Sequence, residues 1–460
     1  MLPRVDDFHD RREELAALER FWASPGGRLG LVWGCRRTGK SFLLTRFAEE
    51  KRAIHFTATQ RAPEAELRAF SDTCRAVLEP APTDVLAGGA FRDWDEALRY
   101  LAASSGRGRL LVVLDEFSYL VDADPSLPSI IQRFWDREGR DSKLRLVLCG
   151  SASTVLERLG AERAPLFGRF DMLLQVHPFT YRDAAAFNPG LEPARQALVH
   201  GVLGGMPLYL RMWDQDASVE RNLSRLFADP GSILVSEGEL LLRMELPDAP
   251  GYFRLMAAIA SGRTSYSKIR DAAGLDPTRG LERLTAMRLL ERRTPVTERP
   301  ERTRLRVYRI ADNFLAFWFR FVYPNRGEIE RGLGEEIVRS VILRGLDDHM
   351  GPVFEQMARD YVRLEAGARL PAATSIGSWW SGDGQTEIDV VALRGKEVVL
   401  AGEAKWSRTV DRRVLRALEE RAVRIPGARG SPQLILFARE GFRDVARNEA
   451  ITVTAAGLYD

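Results

Sequence analysis

Residues 29–42 read Leu29-Gly30-Leu31-Val32-Trp33-Gly34-Cys35-Arg36-Arg37-Thr38-Gly39-Lys40-Ser41-Phe42. An apolar run meets G-x-x-x-x-G-K-S, and the helix-like Phe42-Leu43-Leu44-Thr45-Arg46-Phe47 follows. Strand, glycine loop and helix are the context that a phosphate-binding loop requires. The glycines let backbone N–H groups turn toward a β-phosphate, and the positive end of the helix adds to the attraction. Lys40 is placed to reach the β- and γ-phosphates, and the Ser41 hydroxyl to ligate Mg2+. Gly34, Cys35, Arg36, Arg37, Thr38, Gly39, Lys40, Ser41 and Phe42 are therefore the expected nucleotide-binding residues. A chance glycine turn before a helix is the rival reading, and both flanks count against it.

Other apolar strands end in residues that such a loop needs. Leu110-Leu111-Val112-Val113-Leu114 runs into Asp115-Glu116. The first acid is assigned to the Mg2+ shell and the second to activation of the attacking water. An N-cap after a buried strand is the plainer alternative. Residues 144–149 form another strand, followed by Gly150 and Ser151. In this fold that strand lies between the loop strand and the acid strand, which puts Ser151 near the γ-phosphate; a turn serine is the competing reading. Arg169, in Pro165-Leu166-Phe167-Gly168-Arg169, is the candidate arginine finger, in cis or from a neighbouring subunit, with Arg163 as its rival.

At 460 residues the chain has room for two to four domains. It is 45% hydrophobic and 28% charged, with no apolar run long enough to span a bilayer and no apolar signal-peptide core, so a cytoplasmic protein with no membrane partner is expected. Three scattered cysteines, Cys35, Cys74 and Cys149, argue against disulfides, and no Cys/His group has zinc spacing. The net charge of +3 is too small to establish nucleic-acid binding. Lysine, however, occurs only at 40, 51, 143, 268, 396 and 405 in a chain otherwise written in arginine. A compact ammonium and a guanidinium are not interchangeable at a crowded phosphate or metal site, so Lys40 and Lys405 draw attention.

Strands and helices alternate over the first ~230 residues, the pattern of a doubly wound parallel sheet. Candidate helices follow at 252–261, 265–273 and 278–290, then a β-ribbon from 292 to 310. Three helices and a ribbon predict a winged helix-turn-helix. Arg279, Arg283 and Arg288 on the third helix, with Arg292, Arg293, Arg299, Arg302, Arg304, Arg306 and Arg309 on the ribbon, suit phosphate contacts. Packing against the nucleotide-binding domain is the alternative, and Glu298 and Glu301 would repel phosphate. The aromatic segment 313–323 reads as a helix in an interdomain core.

The last region reads as α+β: a helix at 353–364, strands at 375–380, 387–393 and 398–406, a helix at 412–425, a strand at 433–438, a helix at 442–448 and a strand at 451–454. A tight turn near 395–396 sets position 389 opposite 402 or 403, so Asp389 and Glu403 can share a metal. Glu403 and Lys405, two apart, lie on one face. Two carboxylates and a lysine can hold Mg2+ and stabilise charge during phosphodiester hydrolysis. Glu355 is a possible further ligand, and Arg412, Arg413 and Arg416 could face phosphates. A solvated surface pair is the competing reading.

The ordered motifs Phe8-His9-Asp10-Arg11-Arg12-Glu13-Glu14-Leu15, Phe56-Thr57-Ala58-Thr59-Gln60, Leu114-Asp115-Glu116-Phe117, Leu148-Cys149-Gly150-Ser151, Pro165–Arg169, Gly204-Gly205-Met206-Pro207 and Phe317–Asn325 are similar to those of the archaeal-type ATPases of archaea and bacteria, in the STAND-like branch of AAA+ proteins. The resemblance implies ATP as the nucleotide, with Phe8 and Arg11 cradling adenine. The set Asp389…Glu403-x-Lys405 resembles the PD-(D/E)xK nuclease core. Many relatives carry two adjacent arginines where this chain has Arg169-Phe170.

The expected architecture is an α/β P-loop NTPase of AAA+ type (1–235), a winged helix with its aromatic connector (245–325) and a restriction-nuclease-like α+β domain (335–460). The expected function is an ATP-hydrolysing switch acting on DNA, with Mg2+-dependent cleavage at the C-terminal site and possible self-association. The alternative is a signalling or transcription-regulatory STAND-type ATPase whose C-terminal fold only binds. A protein-remodelling motor is the third reading, and no pore-loop signature supports it.

Overall fold

Leu110, Val112 and Leu114 join one apolar cluster while Leu111 and Val113 join another, as strict period-two alternation in a sheet covered on both faces demands. The strand they form, β3 (Leu110–Asp115), belongs to a five-stranded sheet with β1 (Arg28–Gly34), β2 (Ala53–Thr57), β4 (Leu144–Ser151) and β5 (Met172–Gln175). The order is β2-β3-β4-β1-β5 and every pairing is parallel. The protein therefore has a P-loop NTPase fold with a parallel sheet. The computed structural model describes residues 11–80, 84–151, 164–246, 249–446 and 448–460.

Two compact units emerge, Met1–Pro178 and Phe179–Asp460. The helices between Tyr181 and Phe227, expected with the ATPase, fall in the second unit. Tyr181 and Ala197 share a core with Met350, Val353 and Phe354 of the long helix Leu343–Glu365, and Phe227 stacks on Phe317 with centroids 4.9 Å apart.

In the second unit, helices Ala249–Ala260, Tyr266–Ala273 and Thr278–Ala286 precede an antiparallel ribbon, β6 (Leu290–Arg293) with β7 (Val307–Ile310). The aromatic segment is helical and its Phe314, Phe317, Trp318, Phe319 and Phe321 are buried, so it is core. A second five-stranded sheet follows, made of β8 (Ser375–Trp380), β9 (Glu387–Arg394), β10 (Glu397–Lys405), β12 (Gln433–Ala438) and β14 (Ile451–Thr454). Its order is β14-β12-β10-β9-β8. The helix Leu343–Glu365 covers one face and the helix Arg412–Ala422 the other. The helix expected over 442–448 is not formed. Gly441–Arg443 is instead a short strand, β13, beside β11 (Thr409–Asp411), and Asp444 turns the chain at φ 57°. Phe442 and Val445 still pack on the apolar core.

Candidate functional site

β1 ends at Gly34, and the loop turns directly into the helix Lys40–Ala48. Gly34 has no room for a side chain: a Cβ there would lie 2.2 Å from the Val176 carbonyl oxygen. Gly39, at φ 87°, takes a left-handed conformation at the helix N-cap that other residues resist. The loop is tied by its own side chains. Thr38 Oγ1 donates to the Cys35 carbonyl at 2.9 Å, and Lys40 Nζ donates to the carbonyls of Gly34 (3.0 Å) and Cys35 (2.8 Å). Buried Arg11 reaches in from the N-terminal side, donating through Nη2 to the Thr38 carbonyl at 2.8 Å and pairing with Glu14 at 2.8 Å. Its observed contact is thus to the phosphate loop. Phe8 and Arg163 lie outside the described residues. Ser41 is exposed, and Cys35, Arg36, Arg37 and Phe42 are part-buried.

The strand order does the rest of the assembly. β4 lies between β1 and β3, and Ser151 is the registered partner of Gly34. Asp115, at the end of β3, is 2% exposed. Burial by itself would raise its carboxyl, but His55, Cys149 and Ser41 turn polar groups toward it and hold it down at about 2. The Cys149 thiol, pushed far up by burial, acts there as a donor and stays protonated. His55 Nε2 lies 3.8 Å from Asp115 Oδ2. Glu116 stands at φ 52° as a helix N-cap without a side-chain capping bond, and its N–H donates to Asp115 Oδ1 at 3.0 Å. Asp115 Oδ2 and Glu116 Oε2 are buried and carry no hydrogen bond of normal geometry. Two orphaned acid oxygens beside a serine hydroxyl are a donor set that suits a hard divalent cation and its water shell. Sequence reasoning missed His55 and Cys149; only knowledge of strand order puts them against Asp115.

Arg169 is not a free cation. Its guanidinium grips Asp136 through Nε at 3.0 Å and Nη2 at 2.9 Å, and Nη1 donates to the Pro165 carbonyl at 3.0 Å. In this conformation it braces a helix end and does not present a finger.

The second unit holds the other carboxylates. Gly402 and Val390 are registered partners across β9 and β10, which sets Asp389 and Glu403 just beyond the last pair on adjacent strands. Asp389 Oδ2 accepts from the Ala404 N–H at 2.9 Å. Lys405 Nζ lies 2.6 Å from Glu403 Oε1 and 3.7 Å from Asp389 Oδ2. Arg421 Nη2 lies 3.1 Å from Glu403 Oε2, too poorly aligned for a hydrogen bond. Asp389 and Glu403 are 6% and 3% exposed, so this is not a solvated surface pair. Burial, then the neighbouring Glu355 and Glu403, push the Asp389 carboxyl up against the pull of Lys405. Lys405 is raised as well, because Asp389 and Glu403 outweigh its burial. Burying two acids is costly; Lys405 and the Ala404 N–H offset part of that cost, and the raised Asp389 carboxyl shows that they do not offset all of it.

The Glu355 carboxylate, which helps to raise Asp389, faces a cation of its own. Arg359 lies 3.8 Å from it, and among the described residues no group of three or more His, Cys, Asp or Glu could hold a metal ion. Of the basic helix, Arg413 points to solvent and Arg412 pairs with Glu449, while Arg421, which sequence reasoning passed over, reaches the acid pair. Among the described residues no helix is long and apolar enough to cross a membrane.

Residues 8–212 match the family model described as an ATPase domain predominantly from Archaea, and residues 318–420 match one described as archaea-bacterial proteins of unknown function. An uncharacterized protein of Methanocaldococcus jannaschii is 27% identical over 419 residues, covering 88% of this chain and 89% of its own. A Walker-type ATPase of Pyrococcus abyssi superposes with a TM-score of 0.53 at 22% identity, over 69% of this chain and 97% of that one. The latter likeness shows the shared fold.

Proposed function

We propose, for a chain that belongs through residues 8–212 to the predominantly archaeal ATPase family, that it is an ATP-hydrolysing switch acting on DNA with its C-terminal domain. ATP sits on the loop Gly34–Ser41, with Lys40 turned from the loop carbonyls to the β- and γ-phosphates. Mg2+ would be held by Ser41 and Asp115 and would neutralise charge on the phosphates. Glu116 takes the proton of the attacking water, and Ser151, beside Gly34, contacts the γ-phosphate. Arg11 positions the loop. Arg169 can act as a finger only after releasing Asp136.

The helices and ribbon of 249–310 are read as a winged helix, and 335–460 as a nuclease-like domain. One observation carries the DNA reading. Asp389, Glu403 and Lys405 are brought together on adjacent strands where burial makes ionised acids expensive. A second divalent ion would lie between Asp389 and Glu403, with Lys405 stabilising charge on a cleaved phosphodiester. The decisive experiment is Mg2+-dependent cleavage of single- and double-stranded DNA, with and without ATP. Asp389→Ala is expected to abolish cleavage, and Lys40→Ala to abolish ATP turnover and its effect on cleavage. Cleavage that survives Asp389→Ala sinks the reading.

A second reading has its own support. Lys405 and Arg421 already balance Glu403, and Glu355 is held by Arg359, so the domain could be a metal-free binding module of a signalling ATPase. Absence of cleavage with ATPase activity intact selects it.

A further inference from the structure

The ribbon and the long helix meet in a cluster of arginines. Arg293 of β6 and Arg309 of β7 both turn to Gln356 on the helix Leu343–Glu365, as does Arg359 one turn on. Their donors converge on one neutral oxygen, Gln356 Oε1, with Arg309 at 3.4 Å and Arg359 at 3.3 and 3.2 Å. The carboxamide is oriented by Nε2 donating to Asp360 at 2.9 Å, so its oxygen faces the arginines.

Arg293 has Glu291 at 2.9 Å, and Arg359 has Glu355 at 3.8 Å. Arg309 has Asn313 at 3.0 Å, and among the described residues no carboxylate within ion-pair reach. Burial, then the neighbouring Arg293 and Arg359, press Arg309 down to about 9 against the pull of Glu291 and Glu355. Glu291 is exposed and Arg293 and Arg309 are part-buried, so the cluster reaches the surface on the ribbon side, with Arg359 buried behind it. It also adjoins the carboxylate site, since Arg359 Nη1 donates to the Asp389 carbonyl at 2.9 Å. Val296, in the ribbon's connecting segment, donates its N–H to the Ser378 carbonyl of β8 at 2.9 Å, which fixes the ribbon to that sheet.

We propose that Arg293, Arg309 and Arg359 form a phosphate-binding site for the DNA backbone, holding a phosphodiester that flanks the one at Asp389, Glu403 and Lys405. The inference rests on the DNA reading above and deepens it. The ribbon is then part of the substrate-binding surface of the C-terminal domain. Guanidinium groups suit this task because their planar forks match phosphate oxygens, and the Gln356 oxygen marks where an anion is received.

The test measures binding of labelled single- and double-stranded 20-mers to the full chain in EDTA, as a function of NaCl. Gln356→Glu keeps every arginine and supplies a built-in anion. It should lower affinity roughly tenfold at moderate salt and flatten the slope of log K against log[NaCl] by about one phosphate contact. Arg309→Gln should do the same by deleting one cation. Asp389→Asn should abolish cleavage without flattening the slope. Wild-type slope in both Gln356→Glu and Arg309→Gln overturns this site alone. Cleavage surviving Asp389→Asn overturns the nuclease reading alone. Wild-type protein that fails to bind DNA at low salt overturns the site whatever the cleavage assay gives. Inorganic phosphate is the remaining arm. Thermal protection by phosphate that Arg309→Gln removes, with the DNA slope unmoved, assigns a free anion and also overturns the proposal.

Discussion

Asp115→Asn tests the electrostatics of the nucleotide site without ATP. The carboxyl falls from its usual 3.8 to about 2, and the residue is 2% exposed, so solvent screening discounts little. That depression corresponds to about 2 kcal/mol of stability that exists only while the group is ionised. The folded value lies below the unfolded one, so the contribution is complete above pH 3.8 and fades as pH falls toward 2. Asparagine keeps an acceptor for the Glu116 N–H but presents an NH2 where His55, Cys149 and Ser41 turn theirs. The ligand-free variant should lose about 2 kcal/mol at pH 7, or roughly 4–8 °C in Tm for a unit of this size. Urea unfolding followed by the first unit's tryptophans at pH 7 and at pH 3 measures it, with the deficit shrinking at the lower pH. A variant as stable as wild type at pH 7, or more so, would refute the reasoning. It would show that the site stores strain at Asp115, the opposite of a carboxylate held comfortably charged.

Glu116→Gln should cut ATP hydrolysis by about 10²–10⁴ while ATP affinity is kept, checked by steady-state turnover beside equilibrium nucleotide titration. The buried His349, whose Nε2 lies 2.8 Å from the Gly201 carbonyl, is pushed down by burial to about 4 from 6.5. It is neutral in the fold and gains a proton on unfolding, so stability drops as pH falls from 6.5 toward 4, by on the order of 3 kcal/mol. His349→Gln should flatten that part of the pH profile relative to wild type in chemical denaturation, and an unchanged profile would assign the loss to other groups.

Both ends of the candidate chemistry were legible because each interrupts an apolar strand. Asp115 closes Leu110–Asp115, and Asp389 and Glu403 stand inside runs that a doubly covered sheet keeps apolar. The strands Gln433–Ala438 and Ile451–Thr454 were readable from composition and their turn boundaries. In place of the helix expected over 442–448, Gly441–Arg443 forms a short strand followed by a left-handed turn at Asp444, an arrangement that the spacing of Phe442 and Val445 fits as well. The partners of the acids were not legible. His55, Arg359 and Arg421 act across tertiary distance, and no local period marks them. The ribbon arginines were legible as charge, but not that Arg293 and Arg309 turn toward Gln356 while Arg292, Arg299, Arg302 and Arg304 face solvent.

The strand order also sets a timetable. β1, which carries the phosphate loop, pairs with β4 and β5 and with neither β2 nor β3. As the chain leaves the ribosome, Arg28–Gly34 has no sheet neighbour until Leu144–Ser151 has been made, more than a hundred residues later. β2 and β3 can pair first and present an open edge until β4 slots in between them and β1. Such long-range closure is slow and exposes an unpaired edge in the meantime. The nascent chain can gain nothing from ATP before that insertion, so nucleotide should rescue late misfolding of this domain but not early aggregation.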